Sequence, residues 1–118
     1  MSINQPKIIN ASSVEETPEF RNMPEVEGFQ RAGTRLAVVQ LAAAEQAAAG
    51  IWECTPGVFR REISKREFSH FTKGRCTFIP DNGEPLELRA GDAVYWPADC
   101  LGTWHVHEAL RKTFIILD

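Results

Sequence analysis

A chain of 118 residues is one domain's worth, long enough to bury a core without disulfides or a structural metal. Thirteen basic against sixteen acidic side chains give a formal charge of −3 with no run of like charges, which removes nucleic acid from the expected partners. No stretch approaches the roughly 20 apolar residues of a membrane-spanning helix, and the first ten residues lack the apolar centre of a secretion signal. A cytoplasmic protein with no membrane partner is therefore expected.

In chain order, residues 1–34 are polar and are broken by Pro6, Pro18 and Pro24, which interrupt any long helix or central strand. Ser13 and Glu16 fit a capping box, but Pro18 limits it to one helical turn. This stretch reads as an N-terminal arm, with the domain proper at residues 35–118. Arg35–Gln40 (RLAVVQ) reads as a strand. Leu41–Gly50 (LAAAEQAAAG) has the alanines and closing glycine of a short helix, yet ten residues are marginal for one, so a strand-turn-strand path stays open.

From Ile51 the pattern changes to short runs rich in β-branched and aromatic residues, namely GIWEC, VFRREI, EFSHFT, RCTFI, PLEL, DAVYW, TWHVH and KTFIIL. Turn signals separate them, among them Thr55-Pro56-Gly57, Lys73-Gly74, Pro97-Ala98-Asp99 and Glu108-Ala109. Asn82-Gly83 is the strongest, since a type I′ hairpin turn needs positive φ at both central residues. Eight short strands with closely spaced turns and no long amphipathic helix predict an all-β antiparallel sandwich or barrel. Cys54, Cys76 and Cys100 are odd in number and lack metal-ligand spacing, so they read as reduced thiols.

Two glycine-punctuated segments carry a resemblance. Glu67, six residues, then Gly74 resembles the second half of the first cupin motif. Gly91, five residues, then Pro97 resembles the first half of the second, and sixteen residues lie between Gly74 and Gly91. The chain is thus similar to the cupins, and GIWECTPGVF, EFSHFTKGRCTF and GDAVYWPADCLGTWHV resemble the ureidoglycine aminohydrolase-like branch. The resemblance implies a jelly-roll β-barrel that commonly pairs as a homodimer.

It also implies where a metal would sit, on two His and a Glu of the first motif and a His of the second. Those positions hold Arg61 and Ile63 (or Arg60 and Glu62 with the longer gap), Glu67 and Gly102. Only Glu67 remains, and one carboxylate does not hold a transition metal. No metal and no cofactor is expected. Asp99 stands where the second motif usually has glycine.

Strand alternation then divides the side chains. If Glu67 and position 102 face inward, Ser69, Phe71, Trp104 and Val106 do too, while His70, His105 and His107 face out, unless a β-bulge shifts the parity. His105-x-His107 weighs as a surface or interface pair, since no third ligand is specified.

The inward set suggests a small-molecule site lined by Glu67, Ser69, Phe71, Trp104 and Trp52, with Trp52 weighed mainly as core and Trp104 evenly between core and pocket. Glu67 is the candidate catalytic residue: a carboxylate inside a barrel without metal must find a donor or take up a proton, which suits a general acid or base. A buried ion pair with Arg60, Arg61, Arg75, Arg89 or Arg111 is the alternative. The expected function is a cupin that binds a small polar metabolite. The alternatives are an enzyme acting on a ureido- or sugar-like metabolite and a non-catalytic interaction domain with a filled barrel.

Overall fold

The computed structural model describes residues 6–10, 15, 19–40 and 48–117. Its elements are all strands: β1 (Arg21–Asn22), β2 (Gly33–Gln40), β3 (Ala48–Cys54), β4 (Gly57–Ile63), β5 (Glu67–Pro80), β6 (Leu86–Arg89), β7 (Ala93–Trp96) and β8 (Cys100–Ile116). Every pairing is antiparallel. The capping box at Ser13 and Glu16 and residues 41–47 of the alanine-rich stretch lie outside the described residues, whereas Ala48–Gly50 open β3 as strand.

The architecture rests on two long strands, β5 and β8, paired from Glu67↔Ile116 to Pro80↔Gly102. Both lie within one eight-stranded sheet, and their two halves have different neighbours. The first half of β5 and the last half of β8 lie beside β7 and β3, and β3 continues through β2 to β1. The other halves lie beside β6 and β4. The two halves of this sheet, bent at the shared strands, enclose the core between them, which solves the problem of burying one face of each half.

Lys73-Gly74 and Glu108-Ala109, expected as turns, are instead the bend within these strands. Three register shifts fall between Phe71 and Cys76 of β5. Gly74 has φ 83°, and a Cβ placed on it would stand 2.2 Å from the Ala109 carbonyl oxygen. The glycine is thus read correctly as a special backbone position but not as a strand end; it forms a bulge that lets the strands bend while still paired.

The Asn82-Gly83 turn is also different in kind. Neither residue has positive φ. The connection from Pro80 to Leu86 is five residues long rather than two, so the type I′ geometry is not required, and Gly83 N–H donates to the Pro80 carbonyl at 3.4 Å. Asp99, by contrast, has φ 57°. The position where the second motif usually has glycine keeps the left-handed conformation, and Asp is among the residues that tolerate it.

The core is aromatic. Trp104, 1% exposed, stands at its centre with Trp96 at 5.3 Å between ring centroids, Phe78 at 5.2 Å, Trp52 at 5.6 Å and Phe59 stacked at 6.1 Å. Phe78 also covers Gly102, where a Cβ would lie 2.5 Å from its ring. At the chain's other end, β1 joins β2 through Arg21↔Thr34, so the sheet already begins within the stretch read as an arm. Among the described residues no helix is long and apolar enough to cross a membrane.

Candidate functional site

Alternation along β5 puts Glu67, Ser69 and Phe71 on the inner face, all buried, and leaves His70 exposed on the outer one. The bulge lies beyond Phe71, so it does not disturb this parity; it shifts the inward set only from Cys76 onward. In β8 the same alternation buries Trp104, Val106, Leu110, Lys112 and Phe114. Lys112 is the residue the sequence reading passed over.

Its ammonium donates to Glu67 Oε2 at 2.7 Å, and the pair is buried. The Ser69 hydroxyl donates to the same oxygen, while accepting from the Trp96 indole N–H at 3.0 Å. Glu67 therefore does form a buried ion pair, but with a lysine of β8 rather than with any of the five arginines considered. Neighbouring strands explain the placement: Lys112 lies opposite Trp52 on β3 and opposite Phe71 on β5. Its Nζ lies 4.9 Å from the Trp52 ring centre, 5.3 Å from Trp104, 5.6 Å from Trp96 and 6.0 Å from Phe71. Four aromatic faces thus surround one cation, compensating in part for lost water. Burial pushes the Lys112 ammonium below its ordinary range, Glu67 pulls it back up, and the positive charge of Arg61 adds to the downward push.

This pair forms the inner wall of a cavity of about 470 Å³ that opens between β2 and the barrel mouth. Trp52, Phe114 and Ile116 continue the wall, Leu36 and Val38 of β2 face it, and Arg61 and Arg21 stand at its margin. Leu36 and Val38 remain 46% and 50% exposed. They share the inner face of β2, opposite Trp52 and Gly50 of β3, so this exposure is to the open mouth. Of the expected site residues, Glu67 and Trp52 line the cavity. Ser69, Phe71 and Trp104 lie behind them in the packed interior, and the Trp104 indole N–H has no partner among the described residues.

The donor set does not suit a transition metal. The oxygen Glu67 would offer already takes an ammonium and a hydroxyl, Phe78 covers Gly102, and no three His, Cys, Asp or Glu converge among the described residues. His105 and His107 share the outer face of β8 with ring centres 4.3 Å apart, and His107 Nε2 lies 2.8 Å from Thr77 Oγ1. Burial and the nearby His105 and Arg75 push His107 down. Burial pushes the Cys54 and Cys76 thiols up to about 12, away from the nucleophilic thiolate, and pushes the half-buried Cys100 upward too.

The model of a family described as the EutQ-like cupin domain matches residues 41–114. No curated protein matches. Among solved structures, an ethanolamine utilization protein Q of Salmonella typhimurium LT2 is similar at 18% identity and TM-score 0.62, covering 71% of this chain and 68% of that one. The EutQ protein of Clostridium difficile is similar at 15% identity and TM-score 0.63, covering 72% and 68%. A Rhizobium leguminosarum protein of unknown function gives 15% identity and TM-score 0.69 over 95% of this chain and 96% of its own. At these identities the likeness carries the fold, and the fold is the cupin jelly roll that the two glycine-punctuated segments predicted.

Proposed function

Because the chain belongs to the family of EutQ-like cupin domains, we propose that it is a small-molecule-binding cupin whose ligand enters the open barrel mouth and meets Glu67 and Lys112. One observation carries the reading: a cavity of about 470 Å³, within the usual size of small-molecule sites, ends on a buried, hydrogen-bonded ion pair. A wall of this kind combines apolar surface with a few convergent polar atoms. The acceptor oxygens of Glu67 and the N–H groups of Lys112 give a polar ligand both kinds of hydrogen-bond partner.

The reading needs no metal. The resemblance to ureidoglycine aminohydrolase-like cupins supports an alternative, hydrolysis of a ureido-like metabolite, but that chemistry draws on a metal whose donors are replaced here. Fold analogy does not supply them.

The test is a thermal-shift and amide-NMR screen of small polar metabolites against protein treated with chelator. A ligand that binds only the native state raises the melting temperature by mass action. Its shifts should centre on Trp52 and Leu36 and should vanish in Leu36→Trp, which fills the mouth without touching the ion pair. A ligand response that survives Leu36→Trp unchanged would place binding elsewhere and sink the reading. A response that appears only with added transition metal would favour the hydrolase alternative.

A further inference from the structure

We propose that the ligand of this mouth is a small organic anion with an apolar body, its anionic head held by the Arg61 guanidinium. The proposal rests on the binding reading above and adds the ligand's charge and shape. Two ionic pairs near the cavity are already closed. Lys112 is neutralised by Glu67 at 2.7 Å, and Arg35 by Glu53 at 2.7 Å. Of the remaining charged groups that line it, Arg61 and Arg21 are cations and Glu19 is the single anion.

Arg61 forms no ion pair with a carboxylate among the described residues, although its charge is felt by Lys112 and Cys54. Excess positive charge in a mouth is not what the chain as a whole would supply, since its formal charge is −3. The local excess is therefore a property of this cavity. A guanidinium presents a planar fork of donors that matches two oxygens of a carboxylate or phosphate, and such charge-assisted pairs are the stronger hydrogen bonds.

The apolar half of the proposal comes from β2 and β8. Leu36 and Val38 face the cavity while remaining about half exposed, and Phe114 and Ile116 complete an aliphatic and aromatic surface beside them. An apolar ligand body lying there removes that surface from water. Arg61 belongs to β4 and Leu36 and Val38 to β2, so head and body are recognised by residues of different strands lining the same cavity. The inner Glu67–Lys112 pair then meets whatever polar substituent reaches inward.

Carboxylate and phosphate heads share this chemistry, and a matched set of probes separates them. Hexanoate, hexyl phosphate and the neutral hexanamide are titrated into labelled protein and followed by amide NMR, with Arg61→Gln and Leu36→Trp in parallel. The expected result is saturable shifts at Trp52 and Leu36 with an anion, and binding of the amide roughly tenfold or more weaker. Arg61→Gln should reduce anion affinity about as much and leave the amide unchanged. Tighter binding of hexyl phosphate than hexanoate would assign a phosphate head, and the reverse a carboxylate.

Equal affinity for the amide, or no effect of Arg61→Gln, would overturn the anion proposal while leaving a small-molecule site in place. If neither these probes nor the metabolite screen perturbs the mouth, the binding reading fails with it. Arg61 is exposed, so the variant should fold, and its denaturation midpoint provides the check.

Discussion

Two adjacent residues of β8, Arg111 and Lys112, point to opposite faces of the sheet, and each closes an ion pair with a glutamate. On the outer face Glu53 of β3 takes hydrogen bonds from Arg35 at 2.7 Å and Arg111 at 2.7 Å. On the inner face Glu67 takes the Lys112 ammonium at 2.7 Å. The outer cluster has two guanidiniums that remain partly in contact with water, so it is a strap across β2, β3 and β8 that solvent helps to stabilise. The inner pair has one cation, four aromatic rings and a cavity. Equal bond lengths thus conceal unequal circumstances: the outer carboxylate is shared by two guanidiniums beside a cavity of about 300 Å³, whereas the inner one holds a single ammonium at the wall of a cavity of about 470 Å³.

The largest effect should come from breaking the inner pair. Glu67→Gln leaves an ammonium buried without its counter-charge, and Lys112→Met leaves a carboxylate so; each should lower unfolding free energy by about 3–5 kcal/mol. The double variant should recover most of that loss, because two neutral side chains no longer need each other. Denaturant unfolding of the four proteins measures the coupling. Additive losses below about 1 kcal/mol would show a pair with no energetic connection. The sign of the pH effect follows from Lys112, whose folded value is depressed below its ordinary 10.5. The cost of burying the ammonium is fully present below the folded value and is relieved as pH rises from there toward 10.5.

The outer cluster should respond less and in the acid range. Burial pushes Glu53 upward, but the hydrogen bonds and charges of Arg35 and Arg111 outweigh it and hold the carboxyl below its ordinary 4.5. Its contribution is therefore present above pH 4.5 and is lost as pH falls through the lower folded value. Glu53→Gln should cost about 1–2 kcal/mol at neutral pH, because both arginines can turn to water, and should flatten the acid limb of the stability curve. An unchanged acid limb in this variant would assign that limb to other carboxylates.

How much of this was legible in the sequence depends on what each feature needs. The inward placement of Glu67, Ser69, Phe71, Trp104 and Val106 was legible because alternation is a property of any strand. The bulge at Gly74 leaves that stretch of β5 untouched. Lys112 shares the parity of Trp104 and Phe114 along the continuous β8, but the turn expected at Glu108-Ala109 cut that strand in two, so the alternation read at Trp104 did not carry to it. It was missed also because a lysine is seldom buried, and only the closed fold shows that Glu67 stands within reach of it.

The different positions of Trp52 and Trp104 were not legible at all. Parity gives the face of a strand but not the depth along the barrel, and depth decides that Trp52 meets the cavity while Trp104 is enclosed by five other rings. The openness of the mouth likewise depends on Leu36 and Val38 of β2 staying about half exposed where they line the cavity, which no local pattern specifies. Glycine spacing announced the strands' special backbone points. Whether such a point ends a strand, as at Gly91, or bends it, as at Gly74, depends on which partner strand lies opposite.

The smallest expected effects separate the two faces once more, through their aromatic partners. Phe20 covers the Arg35 guanidinium at 4.5 Å from the ring centre, but Phe20 is itself 39% exposed. Trp52 covers Lys112 at 4.9 Å in the buried interior. A cation over an aromatic face is worth about 0.5–1 kcal/mol in water's reach and about 2 kcal/mol when desolvated. Phe20→Leu should therefore cost no more than about 1 kcal/mol and less at high salt, since the outer cluster is screened. Trp52→Phe keeps an aromatic face over Lys112 and should cost more, with little dependence on salt, because bulk ions do not enter the space between ring and ammonium. The salt series distinguishes the two sites even if both losses are modest. Equal salt sensitivity at Trp52 and Phe20 would mean that the mouth admits ions freely to Lys112, and the inner pair would then be a second surface strap rather than the enclosed wall of a binding site.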